Sequence, residues 1–239
     1  MTRSTKLNTL AEVNRALRDA ASVEIAAHSK RFFKAGPGEY GEGDRFHGIR
    51  VPVVRRLAQQ ARELPLGKVR RLLDSPYHEA RLMALILLAE HYGRGDTTCR
   101  EEIYLFYLAS TRKINNWDLV DASAHKIVGR HLESRSRKPL DKLAASKLLW
   151  DRRVAIIATY HFIQQGETET TFRLARKLRD DPHDLIHKAV GWMLREAGKK
   201  QNEVLLRFLD RHARRMPRTM LRYAMEKLTP AQRRKFMAR

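Results

Sequence analysis

The chain has 239 residues, 43% of them hydrophobic, which is enough to bury a sizeable core and excludes wholesale disorder. Forty-eight Lys+Arg against 27 Asp+Glu give a net charge of +21 and a pI near 10.6. That balance points to a partner of dense negative charge, because each phosphate neutralised releases condensed counterions; a solvated cationic surface is the alternative that composition leaves open. The one cysteine, Cys99, excludes an internal disulfide and implies no oxidising compartment. The N-terminal stretch MTRSTKLNTLAEVNRALRD has no apolar segment of signal-peptide type. The longest apolar run, Leu82 to Ala89, is far short of the ~20 residues that cross a bilayer. These features predict a soluble, cytoplasmic, monomeric protein without a membrane partner.

Helical periodicity dominates along the chain, and nothing alternates like a strand. The run GPGEYGEG at 36–43 cannot be helical and predicts a long loop. Ser75-Pro76, Asp181-Pro182 and Thr229-Pro230 each read as an N-cap followed by proline at the first helical position, where its missing N–H costs nothing. About a dozen helices are expected. Asp121, Ala155 and Ala189 recur at intervals of 34 residues in LVDASAHKIVG, VAIIATYHFI and KAVGWMLREAG. That period suits stacked helix pairs and predicts an all-α, HEAT-like helical-repeat solenoid, one domain over 1–239, with a concave basic groove. An irregular helical bundle is the alternative.

The helix NNWDLVDASAHKIVGRHL at 115–132 carries the most unusual pattern. Asn115 or Asn116 suits its N-cap. Trp117, Val120, Ala124, Ile127 and Val128 form one apolar arc, and Asp121 falls inside it, one turn after Trp117 and one turn before His125. A carboxylate there needs a partner or a purpose. It is either locked to an arginine of a neighbouring helix or catalytic. Asp118 lies at the edge of the arc in the first turn, where the helix dipole or a structural hydrogen bond accounts for it.

Farther on, WDRRVAIIATYHF sets Arg153 beside an apolar stripe, and IHKAVGWMLREAG places Trp192, Lys188 and Arg195 on one helix. By composition alone Trp192 is as well explained as core, and Arg153 as a solvated charge. His183 and His187 have i,i+4 spacing but no third ligand, so capping or surface roles are expected and no metal site. Neither G-x-x-x-x-G-K-[ST] nor G-x-G-x-x-G before a helix occurs, which argues against a nucleotide cofactor. The stretch from Arg211 to Arg239 holds ten Lys+Arg and one acid, Glu226. Arg214, Arg215 and Arg218 are its best phosphate-contact candidates, with a solvated tail as the alternative.

Four stretches, GPGEYGEGDRFHGIRVPVVRRLA at 36–58, INNWDLVDASAHKIVG at 114–129, WDRRVAIIATYHFI at 150–163 and HKAVGWMLREAGK at 187–199, resemble the AlkD-type family of DNA alkylation-repair glycosylases over nearly the whole chain. The resemblance implies removal of N3- or N7-alkylated purines from double-stranded DNA; no lysine stands out as a Schiff-base nucleophile, so a monofunctional glycosylase with no cofactor is expected. It implies that Trp117 and Asp121 act at the lesion, that Arg153 contacts the backbone near it, and that Trp192 completes an aromatic cleft. Lys188 and Arg195 are expected on the DNA-binding side. One departure is that many members carry two consecutive tryptophans where this chain has Asn116-Trp117. A non-catalytic DNA- or RNA-binding solenoid is the competing reading, and a protein-binding scaffold poorly explains a charge of +21.

Overall fold

The computed structural model describes residues 6–237. The regular elements among them are fourteen α-helices with one π-helical and one 3₁₀ turn; the sole strand-like pairing is an isolated bridge between Arg45 and Tyr77. The all-α expectation holds. The chain divides into two compact units, Met1–Ser123 and Ala124–Arg239.

The first unit contains α1 (Leu10–Asp19), α2 (Val23–Phe32), α3 (Val51–Gln60), α4 (Leu66–Leu73), α5 (His78–Arg94), α6 (Thr97–Ala109) and most of α7 (Trp117–Ala124). α5 is its spine, packed against α1, α3, α4 and α6. Residues from Leu82 to Leu88 are all buried, so this helix is apolar on every side rather than amphipathic. Its first turn is different in kind, because His78, Glu79 and Arg81 are buried there too. Glu79 accounts for itself: its carboxylate accepts the backbone N–H groups of His47, Gly48 and Ile49 at 2.9, 2.8 and 3.1 Å. Gly48 sits at φ +77°, and any Cβ there would strike the backbone of Ser22 and Ala26. The segment after the glycine-rich loop is thereby pinned between α2 and α5.

The second unit contains the π-helical turn His125–Gly129, then α8 (Lys138–Ala144), α9 (Leu149–Gln164), α10 (Glu169–Lys177), α11 (Asp184–Lys200), α12 (Asn202–His212), α13 (Arg218–Ala224) and α14 (Pro230–Met237). α9 and α11 pack on each other and on the shorter helices either side of them, the helix-on-helix stacking of a helical-repeat fold. Two glycines let neighbouring helix backbones approach closely. A Cβ on Gly129 would collide with the Ala158 carbonyl of α9, and one on Gly191 would lie 2.5 Å from the Met220 carbonyl of α13.

The proline signals hold to different degrees. Thr229 caps α14 as expected, with Pro230 at the first helical position and Gln232 donating its backbone N–H to the Thr229 hydroxyl. α5 starts two residues later than Ser75-Pro76 suggests; the Ser75 hydroxyl accepts instead from Tyr77 N–H. α11 likewise starts at Asp184 with His183 as cap, while Asp181 accepts from His183 N–H. In both places the short side chain closes a tight turn before the helix rather than capping it. Residues 36–43 are non-helical as expected. Among the described residues, no helix is long and apolar enough to cross a membrane.

Candidate active site

α7 begins at Trp117, and the backbone N–H of that residue donates to the Asn116 side-chain oxygen at 2.9 Å. Asn116 is fully buried and uses its amide nitrogen to reach the Phe33 carbonyl at 3.2 Å. Gly41 of the glycine-rich loop lies against the same group, where a Cβ would come within 2.7 Å of the Phe33 carbonyl and 3.2 Å of the Asn116 amide. The loop therefore packs on the start of α7. Asn116 is the polar contact between them.

The helical arc runs as the periodicity predicts, with one correction. Val120, Ala124, Ile127 and Val128 are fully buried, whereas Trp117, Asp121 and His125 are each half-buried. Asp121 thus stands on the rim of the arc rather than inside it, on the same face as Trp117. Ala155 and Ala189, its counterparts at the 34-residue interval, are buried in α9 and α11, so the interval relates helices but not depths. Asp121 is near enough to the fully buried Tyr107 for its charge to add to the rise of that phenol's pKa, which burial chiefly causes. Tyr107 in turn shares a hydrogen bond of 2.9 Å with Ser123. Immediately after Ala124 the helix widens into the π-turn, a distortion that often accompanies functional sites.

Trp117 belongs to an aromatic group in the first unit. Its ring lies 5.8 Å from Phe32, edge to face, and 5.6 Å from Phe33. Phe32 is 53% exposed, an unusual state for a large apolar side chain. Phe33 stacks on His78 at 4.5 Å and on Phe46 at 5.6 Å. His78 itself is 2% exposed and lies between two carboxylates, with Nδ1 3.3 Å from Asp44 and Nε2 2.8 Å from Asp118. Burial opposes its charge, but the bonds to Asp118 and Asp44 outweigh that and raise its pKa to about 9. Burial also pushes Asp44 up, yet His78, Arg81 and the Asn115 amide bring it below the ordinary carboxylate value. Asp118 has the structural hydrogen bond expected of it.

In the second unit the expected cations fall into two groups. Arg153 is 4% exposed, and its Nη1 donates to the Leu185 carbonyl in the first turn of α11 at 2.6 Å. It fastens α9 to α11. Lys188 pairs with Asp184 one turn earlier at 2.7 Å, and Arg195 is held by Glu196 and Glu226. Arg214, Arg215 and Arg218 are exposed. Arg239 lies outside the described residues. Trp192 is half-buried, with Tyr160 at 6.0 Å and His125 5.4 Å beyond that ring. His183 caps α11, accepting from Leu185 N–H at 3.1 Å, and His187 bonds the Asp181 carbonyl, so both serve the helix start.

The sequence reading missed Asp44, His78 and Arg81, together with Tyr160. The signal for the first three was available: polar residues crowd the turn that opens the longest apolar run, and an acid ends the glycine-rich loop. Nothing in the spacing announces that they meet.

Comparison with known proteins bears on what this arrangement serves. No curated protein matches the chain. Its fold is similar to that of a solved protein from Enterococcus faecalis described as a predicted DNA alkylation repair enzyme, with a TM-score of 0.66 and 17% identity over 88% of this chain and 97% of that one. A model of the DNA alkylation repair enzyme family matches residues 13–228. With nine-tenths of its length under that model, and with helices stacked as in the solved protein, the chain belongs to the DNA alkylation repair enzyme family.

Proposed function

We propose that the protein is a monofunctional DNA glycosylase that excises N3- or N7-alkylated purines from duplex DNA. The observation that carries this reading is the placement of Asp121 on the half-exposed face of α7, one turn from Trp117. A carboxylate facing a polyanion weakens simple binding, so it implies chemistry that develops positive charge. Alkylation at N7 or N3 makes the purine cationic and a good leaving group. As the N-glycosidic bond breaks, positive charge builds on the deoxyribose, and a preorganised carboxylate stabilises it and orients or deprotonates the attacking water. Trp117 offers a polarisable ring to the electron-poor sugar and base, a contact worth ~0.5–2 kcal/mol. In the second unit, Trp192 with Tyr160 beside it offers the duplex a further aromatic face.

Phosphate contacts in this reading fall chiefly to Arg214, Arg215 and Arg218, because Lys188 and Arg195 are engaged in ion pairs and Arg153 is mostly withdrawn. The test is incubation of the protein with methylated duplex DNA, followed by chromatography of the freed bases. Free 7-methylguanine or 3-methyladenine is expected, with strands intact until the abasic site is treated with alkali. No free base from any alkylated duplex would sink the reading and leave non-catalytic DNA binding. Strand breakage without alkali would remove the monofunctional assignment.

A further inference from the structure

The ionic cluster around His78 plays no part in the proposed chemistry, yet it gathers buried charged side chains from three segments of the first unit. Asp44 ends the glycine-rich loop, His78 opens α5, and Asp118 is the second residue of α7. Three separate segments therefore meet at one imidazole. Carboxylates only accept hydrogen bonds, so both ring nitrogens of His78 must donate, and the ring is an imidazolium. Arg81 pairs with the far oxygen of Asp44 at 2.7 Å, and the Asn115 amide donates to that oxygen at 2.8 Å. Two anions and two cations balance in a buried space. Glu79, the next acid on α5, is turned away onto the backbone of 47–49. The backbone is fixed as well: Arg45 N–H donates to the Pro76 carbonyl at 3.0 Å, and His78 N–H to the Arg45 carbonyl at 2.8 Å.

We propose that His78 is a positioning residue, which, held between Asp44 and Asp118, fixes the first turn of α7 and, through the stacked ring of Phe33, the orientation of Trp117. Phe33 lies 4.5 Å from the imidazole on one side and 5.6 Å from Trp117 on the other, and Phe46 backs both Phe33 and His78. Asp118 adds a covalent lever, being the residue after Trp117. A neutral ring can donate to only one of the two carboxylates, and while Asp44 keeps Arg81 and Asn115 as donors, the cluster is left with a net buried negative charge. The clamp then opens at α7, where Asp118 is the more exposed of the two acids. The effect of the clamp on base release rests on the glycosylase reading; its effect on the Trp117 ring does not.

The test needs no variant at first. Wild-type protein carrying fluorotryptophan is titrated from neutral to alkaline pH while the fluorine resonances of its three tryptophans are followed. The Trp117 resonance is expected to move in a single step that coincides with loss of the His78 ring proton, near pH 9, with Trp150 and Trp192 unmoved. A Trp117 resonance that ignores this titration overturns the proposal. So does a shift of all three together, which would assign the cluster to global stability alone. In the second arm, His78→Gln and Asp118→Asn are each expected to slow single-turnover base release about tenfold or more. Duplex Kd should stay within about threefold, and the double variant should be no slower than the worse single, because both changes open one clamp. Additive losses, or losses confined to Kd, contradict it. If the wild type releases no base, the glycosylase reading fails while the tryptophan titration still decides the clamp.

Discussion

Three acids illustrate how differently one residue type is used. Asp121 stands half-exposed beside Trp117, Asp118 is bonded to His78, and Glu79 gathers three backbone N–H groups. Glu79→Ala would orphan buried donors at Gly48 and Ile49, and is expected to cost ~3 kcal/mol, lowering Tm by roughly 6–12 °C. A thermal melt checks it; a change under ~2 °C would show that the 47–49 backbone finds other acceptors. His78 has a folded pKa raised from 6.5 to about 9, so its contribution to stability is whole below pH 6.5 and is lost as pH rises through 9. Asp44, held low, contributes above its ordinary value of 3.8 and loses that contribution as acid protonates it. Melts between pH 7 and 10 should therefore fall more steeply for the wild type than for His78→Gln. Parallel curves would contradict the charged clamp. The sequence made Asp121 and Trp117 legible because helical spacing alone puts them on one face. It misjudged the depth of Asp121, since periodicity gives an angle about the axis and not the distance to the next helix. The role of His78 was hidden because its two partners are 34 and 40 residues away in sequence.

Among the elements, α7 and the π-turn after it carry the strictest demands. Gly129 ends that turn against the Ala158 carbonyl and the Cβ of His161 on α9. Gly129→Ala must push two backbones apart, at an expected cost of ~2 kcal/mol or more, measurable by urea titration as a lower midpoint with an unchanged slope. An unchanged midpoint would mean that α9 yields easily. Helix identity was readable from apolar periodicity along much of the chain, though not in α5, which is apolar on every side, and the start of α14 was readable from Thr229-Pro230. The starts of α5 and α11 were not, because Ser75 and Asp181 spend their oxygens on turns that precede the helix. The glycine-rich loop was readable as a loop from its composition, but not as the support of α7, which depends on where Gly41 lies against Asn116.

At the scale of the whole molecule, charge is unevenly divided. Residues of the second unit hold 28 Lys+Arg against 12 Asp+Glu, a net +16 of the chain's +21. Affinity for duplex DNA should therefore fall steeply with salt, by roughly a thousandfold or more between 50 and 200 mM for six or more phosphate contacts. Changing Arg214, Arg215 and Arg218 together to alanine should weaken alkylated and unmodified duplexes alike and flatten the salt slope. A salt-independent Kd would contradict a phosphate-contacting surface. The all-α repeat character was legible at this scale, because a stack of helix pairs writes its period into the sequence; the division into two units was not, since no proline- or glycine-rich linker marks Ser123 and Ala124. In the proposed chemistry Asp121 meets charge that exists only while the glycosidic bond breaks. This role is tested most directly by single-turnover release of 7-methylguanine from a methylated duplex, comparing wild type with Asp121→Asn. The expected rate for Asp121→Asn is at least about a hundredfold lower at unchanged or tighter duplex affinity. Equal rates would contradict it.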